Sequence, residues 1–262
     1  MIANPLGLSL DPGRSIRDQI HLAARLGARG VVLEATGELA PHRLGETARR
    51  ELRHILGTVE LTLIAIVLPT RRSFDSTDQL EERLRRADAT FALTYELGAK
   101  LVLARAGAVP DADDAARLET FTTTTRGLAA RADHHGTRLA LETGAEAVGP
   151  LNEFLSIDPT PSLGASLDPG GLLLAGLDPV VSARLLGQRL IHAYAGDAVG
   201  RRGSTRVNPR GQGFPPGALD WDEYVGTLEE IGYRGFLTVR PDPARDLASQ
   251  FAEIVARIEQ IG

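Results

Sequence analysis

A single-domain α/β protein, a closed (β/α)8 TIM barrel, is the fold class that the sequence predicts, on three observations. Short apolar runs alternate with longer amphipathic segments, repeating about every 30 residues as successive βα units do. Eight such runs fit into 262 residues with no composition break or linker, and barrels of this class occupy about 250 residues as one domain. No GxGxxG turn follows an early strand, whereas an open dinucleotide-binding sheet would announce one.

The first strand is expected at Leu6 to Leu10 and leads to a helix over Ser15 to Leu26. There Ser15 can satisfy free N–H groups of the first turn and Gly27 supplies a stop. Gly30 to Ala35 and Thr47 to Leu56 form the second unit, Thr62 to Leu68 and Thr77 to Leu97 the third, with Gly98 as its stop. Leu101 to Arg105 precedes a long helix over Ala112 to His135. Arg138 to Glu142 precedes Pro150 to Ser156, and Ser162 to Leu167 precedes a helix over Asp178 to Leu186 with an aspartate at its start. Leu190 to Ala195 and Phe236 to Arg240 are the last strands, followed by helices over Asp220 to Ile231 and Ala244 to Ile261. The irregular stretch from Asp197 to Leu219, rich in Arg, Gly and Pro, follows strand seven and is read as a mobile cover, because loops after the strands carry the chemistry of such barrels.

Composition removes several classes of function. A net charge of −5 without a Lys/Arg run argues against nucleic acid and anionic lipid as partners. The chain has no cysteine, so disulfides, thiolate nucleophiles and sulfur-ligated metals are excluded, and His, Asp and Glu remain as metal ligands. The start, MIANPLGLSLDPGRS, has no basic segment followed by an apolar run, and no stretch of about 18 apolar residues occurs elsewhere. A cytoplasmic protein without membrane attachment is expected. Aromatics are 5% of residues, so Leu, Val, Ile and Ala must fill the core.

Polar residues stand at the ends of strands five to eight where an aliphatic core does not require them. They are Glu142 in LALETG, Asp168 in SLDPGG, His192, Tyr194 and Asp197 in LIHAYAGD, and Arg240 in FLTVRPD. Strand ends converge at the top of a barrel. Two carboxylates brought together there need a cation, since like charges at short range push one pKa upward; a metal or an arginine would supply it. A strand-end acid can also simply cap the next helix. Glu34 and Arg105 end strands two and four and can face the same cavity. His192, two residues before Tyr194, should point inward, where it could bond Glu142, serve as a ligand, or be a satisfied interior group. His134 and His135 close a helix ahead of Gly136, where imidazole suits the negative end of the dipole, so no catalysis is assigned to them.

The run from Leu139 to Glu142, DPGGLLLAGLDP from Asp168, RLIHAYAGDA from Arg189 and RGQGFPPGALDWDEYVGTLEEIGYRGFLTV up to Val239 resemble the second half of the xylose isomerase-like sugar isomerases and epimerases. The first half is similar in rhythm, as in LGARGVVLEA and LGAKLVLARAG. The resemblance implies a divalent metal held by Glu on strand five, Asp on strand six, the second His of an HxH on strand seven and Glu on strand eight. Glu142 and Asp168 match. Tyr194 stands at the His position, Arg240 at the second Glu, and Gly171 where relatives carry a substrate-contacting His or Asn. A phenol is a poor ligand beside imidazole, and arginine brings a positive charge to the place of the cation.

The expectation is therefore an isomerase or epimerase of a small sugar, polyol or sugar acid, with Glu142, Asp168, Arg240 and Tyr194 as the catalytic set and His192, Arg105, Glu34 and Asp197 contacting the substrate. No tightly bound metal is expected. A weak Mn, Mg, Co or Zn site would use Glu142, Asp168 and His192. Arg240 would pair with Glu142 or Asp168 and offer donors to a carbohydrate or anionic sugar derivative. The alternative is a non-catalytic, binding-only homologue in which Arg240 has closed the metal site. An endonuclease on the same fold would need further His and Asp ligands, which the sequence lacks. Oligomeric state is left open.

Overall fold

The computed structural model describes residues 4–144, 146–157, 160–197, 219–242 and 245–261. Eight parallel strands close into a barrel in sequence order, β8 pairing back onto β1. They are β1 (Leu6–Ser9), β2 (Gly30–Glu34), β3 (Thr62–Leu68), β4 (Leu101–Ala104), β5 (Arg138–Glu142), β6 (Leu163–Leu167), β7 (Leu190–Ala195) and β8 (Leu237–Val239). The described residues also form helices α1 (Ile16–Arg25), α2 (Glu46–Thr58), α3 (Leu80–Glu96), α4 (Ala115–His134), α5 (Val148–Ile157), α6 (Pro169–Leu174), α7 (Pro179–Leu186), α8 (Trp221–Glu230) and α9 (Leu247–Glu259). None of these helices is long and apolar enough to cross a membrane.

Side chains alternate along each strand, so one set meets the helices and the other fills the barrel. Leu8, Val31, Leu33, Ala165, Leu167 and Ala193 face outward into a core shared with Ile20, Leu56, Leu186, Tyr224 and Phe251. Val32, Ala65, Leu103, Ala140 and Tyr194 form the separate interior cluster. Two register shifts interrupt the alternation, one between β2 and β3 and one between β6 and β7. Each inserts an isoleucine, Ile64 or Ile191, into the barrel, where glycines make the room. A Cβ on Gly30 would lie 2.7 Å from Ile64 Cγ1, and one on Gly164 would lie 2.8 Å from Ile191 Cδ1. The bulge in β7 keeps both His192 and Tyr194 inside the barrel.

The helix starts depart most from the sequence reading in three places, each by three residues. The third helix begins at Leu80, after Gln79 in a left-handed turn. The fourth begins at Ala115 and the last at Leu247, because Asp114 and Asp246 accept the N–H groups of Arg117 and Ser249 and so fix the cap. Helix α6 was not expected at all. It grows directly from Asp168, which caps it, with Pro169 as its first residue. Residues 198–218, most of the segment read as a mobile cover, lie outside the described residues.

Candidate functional site

Strands β5 to β8 deliver their last inward residues to one point at the C-terminal mouth. Glu142 closes β5, and only 2% of its side chain is exposed. Its Oε1 accepts the phenolic O–H of Tyr194 at 2.6 Å and also an N–H from Arg240 Nη2. Its Oε2 lies 3.4 Å from Nε of Arg105, an exposed rim residue that follows β4. Asp168 follows β6; its Oδ2 accepts from Arg240 Nη1 at 2.7 Å, and its Oδ1 accepts the Gly171 N–H at 3.2 Å as the cap of α6. Arg240 therefore bridges the two carboxylates, and its Cζ sits 3.8 Å above the Tyr194 ring, a stacking geometry in which the quadrupole of the ring favours the cation.

The surroundings brace this arrangement. Thr143 Oγ1 accepts the backbone N–H of Asp168 at 2.9 Å, and Tyr224 of α8 donates its O–H to the carbonyl of Tyr194 at 3.0 Å. Neither had been singled out in the sequence; the tyrosine inside the otherwise ordinary amphipathic run of α8 was the only signal available. Burial pushes the Glu142 carboxyl up, but Arg240, the Tyr194 hydrogen bond and Arg105 together outweigh it and hold the group below the usual glutamate range. Burial and the adjacent Glu142 raise the Tyr194 phenol, which keeps its proton. Arg240 loses stability of its charge to burial and regains more from Tyr194, Glu142 and Asp168.

The substrate contacts expected from sequence divide. Arg105 and Glu34 reach the mouth: Arg105 pairs with Glu142, and half-buried Glu34 is in the electrostatic field of Arg105, Glu142 and Arg240. Asp197, after β7, accepts the N–H of Leu219 at 3.2 Å. His192 lies deeper than expected for a contact or a ligand. Its Nδ1 is 2.8 Å from Ser166 Oγ and its Nε2 2.9 Å from Thr238 Oγ1, so both ring nitrogens are taken within the barrel and neither meets Glu142. The ring stands edge-on to Tyr194, with centroids 4.6 Å apart, and acts as packing beneath the site. His135 lies 3.1 Å from Asp88 at the close of α4, away from the mouth.

Burial, opposed by Glu142 and aided by Arg240, pushes His192 down to about 3 from 6.5. Between these values the unfolded chain binds a proton that the folded protein does not, so stability should fall as pH drops below 6.5, by about 1.4 kcal/mol per unit. Urea unfolding of wild type and His192→Gln across this range should show the slope difference; parallel curves would mean that the buried imidazole charges in place.

A divalent metal does not fit the residues present. The guanidinium of Arg240 already joins the two carboxylates, the Tyr194 oxygen donates to one of them, and among the described residues no three His, Asp or Glu side chains converge to hold an ion. Gly171 leaves the position of a further contact without a side chain. A Cβ there would stand 3.4 Å from Asp168 Cγ, an ordinary contact, so the backbone itself would admit one.

Barrel closure and a polar cluster at the strand C-termini define a (β/α)8 barrel with its candidate site at the C-terminal mouth. The sequence profile of the xylose isomerase-like TIM barrel matches residues 20–259, and the chain belongs to that family. Comparison with proteins of curated function gives no match. Among solved structures, the chain is similar to a xylose isomerase domain protein from Planctomyces limnophilus, with 22% identity, a TM-score of 0.80, and coverage of 98% of this chain and 96% of that one. It is also similar to D-psicose 3-epimerase from Clostridium cellulolyticum H10, crystallised with D-tagatose, at 16% identity and a TM-score of 0.76, with 98% of each chain covered. A third is the probable 3-DHS dehydratase of petrobactin synthesis from Bacillus anthracis, at 18% identity and a TM-score of 0.72, with 97% and 98% covered. At these identities the likeness is one of fold.

Proposed function

We propose that the C-terminal mouth binds a small carbohydrate or sugar-derived acid and interconverts its isomers, with Arg240 doing the charge work that the family resemblance assigns to a metal. The observation that carries this reading is the bridge from Arg240 to Glu142 and Asp168. A guanidinium carries five N–H groups, so the two carboxylates leave donors over for ligand oxygens, and with 29% of its side chain exposed Arg240 reaches the mouth. A positive group held in place before the ligand arrives stabilises negative charge on a carbonyl oxygen without reorganising. Arg105, 71% exposed on the rim, is suited to an anionic group of the ligand.

The same bridge also favours a second reading, a binding-only homologue, because a cation saturated by two acids has less to give to a reacting oxygen. Calorimetry and NMR with neutral sugars, sugar acids and sugar phosphates, all in the presence of chelator, separate the two. Binding of at least one class is expected without added metal. Arg105→Gln should weaken the anionic ligands by about tenfold or more, since hydrogen bonds to charged groups contribute about 1.5–3 kcal/mol. Interconversion of the bound ligand supports the isomerase, and binding without conversion supports the homologue. Absence of any binding, or binding only with divalent metal added, overturns both.

A further inference from the structure

We propose that Glu34 is the proton-transferring group of this mouth, acting alone from one face of the ligand. The proposal rests on the carbohydrate reading above and adds to it the group that moves the proton and the class of isomerisation that follows.

The geometry singles out Glu34 by what the other acids are doing. Glu142 is held by Tyr194, Arg240 and Arg105. Asp168 is divided between Arg240 and the N-terminus of α6. Asp11, after β1, accepts the N–H of Gly13 and pairs with Arg14. Among the described residues, Glu34 is the partly buried strand-end acid of the mouth whose carboxylate enters no hydrogen bond or ion pair; Glu146, on the loop after β5, is exposed to water. Its position is nevertheless fixed. It is the last residue of β2 and follows Gly30 and Val32 on the inward face; its backbone is in register with Val67, and the next N–H, of Ala35, donates to the Val67 carbonyl at 3.0 Å.

The charged groups that face Glu34 are Arg105 from β4, Glu142 from β5, Arg240 from β8 and Asp11 from the loop after β1. Partial burial raises its pKa, Arg105 and Arg240 lower it, Glu142 and Asp11 raise it, and the balance lies above the usual glutamate value. A carboxyl moved toward neutrality in this way both accepts and returns a proton more readily than one pinned in its ionised form, as Glu142 is.

One free base on one face limits the chemistry. Inversion at a single carbon needs a proton removed on one side and delivered on the other. A shift between neighbouring carbons needs only one group. In that shift the Glu34 carboxylate takes the proton from the carbon beside the carbonyl. The C–H electron pair becomes the C=C bond of an enediolate, and the carbonyl pair moves to its oxygen, which accepts an N–H from Arg240 or Arg105. Glu34 then returns the proton to the former carbonyl carbon, while the proton of the neighbouring hydroxyl passes to the former carbonyl oxygen. An aldose and a ketose are interchanged and nothing else is consumed.

Two measurements test this. The first needs no ligand: NMR titration of protein carrying 13C-labelled glutamate carboxyls, with Glu34→Gln giving the assignment. Glu34 should titrate above the exposed glutamates, and higher still in Arg105→Gln. Titration with or below the exposed glutamates overturns the proposal. The second incubates wild type with a panel of pentoses and hexoses in D2O. Sugars that bind should exchange one carbon-bound hydrogen and pass between aldose and ketose. The rate should rise as Glu34 deprotonates, and Glu34→Gln should lower it by at least about a hundredfold with the dissociation constant unchanged. Wild-type rates in Glu34→Gln, inversion at a single carbon, or binding without exchange each overturn the role of Glu34. If no sugar binds wild type, the carbohydrate reading fails, and the titration alone then upholds or overturns the unpinned state of Glu34 on which the proposal stands.

Discussion

Replacing Arg240 with methionine should lower the unfolding free energy by about 3–5 kcal/mol near neutral pH, the cost of leaving a buried charge without its partner. Methionine keeps the apolar contact with the Tyr194 ring but removes the cation shared by Glu142 and Asp168. Most of the loss belongs to Glu142, whose side chain is 2% exposed, since Asp168 at 18% retains some access to water. The pH dependence identifies the cause. In wild type the folded-state pKa of Glu142 lies below its ordinary value of 4.5, so its stabilisation is complete above 4.5 and is lost as pH falls through the lowered folded value. In Arg240→Met burial is opposed only by the Tyr194 hydrogen bond and the exposed Arg105, the largest opposing charge being gone, and the folded value is expected to rise past 4.5, so this variant loses stability as pH rises above 4.5. The two proteins should converge in acid and separate toward neutral pH in urea unfolding. A gap of the same size at both ends would show that Arg240 acts through packing and not through charge.

The double substitution Tyr194→His with Arg240→Glu should produce the second large effect, a gain of divalent-metal binding. The introduced imidazole and carboxylate would join Glu142 and Asp168 in a set of four donors suited to Mn2+, Co2+ or Zn2+. Removal of the guanidinium charge alone relieves repulsion of roughly 4 kcal/mol for each unit of the ion's charge about 4 Å away at an effective dielectric of 20, or more than about a thousandfold in affinity. Tyr194→His by itself keeps that repulsion and should gain far less. Titration of wild type, the single and the double variant compares the two contributions, and equal affinity in the single and double variants would remove the repulsion from the explanation.

The barrel was legible because hydrophobic period and length are properties of segments. Eight apolar runs at even spacing leave few topologies, and β3, β5 and β7 occupy the same residues in sequence and structure. Short features governed by one side chain were less legible. Helix α6 is six residues long and opens with Pro169, Gly170 and Gly171, a composition that reads as loop until Asp168 is known to cap it. The inserted Ile64 and Ile191 look like ordinary strand residues, because a bulge shows itself only in the pairing register.

Within the site, the convergence of Glu142, Asp168, Tyr194 and Arg240 followed from strand-end position, and the pairing of Arg240 with the acids followed from charge. Arg240 bridges both acids where one partner was expected. The depth of His192 was not legible. Alternation gives the face of a strand and says nothing of whether Ser166 and Thr238, distant in sequence, will take both ring nitrogens. The brace from Tyr224 to Tyr194 likewise depends on how α8 packs on the barrel.

The claim that Arg240 takes the place of a metal is tested most directly by elemental analysis of wild type purified without chelator, followed by titration with Mn2+, Co2+ and Zn2+. The expected result is no stoichiometric metal and only weak, easily dialysed binding, because two carboxylates already joined by a guanidinium offer a divalent ion neither charge nor enough oxygen donors. An equimolar metal that survives dialysis and is lost in Glu142→Gln and in Asp168→Asn would contradict it and return a metal-dependent reaction to this mouth.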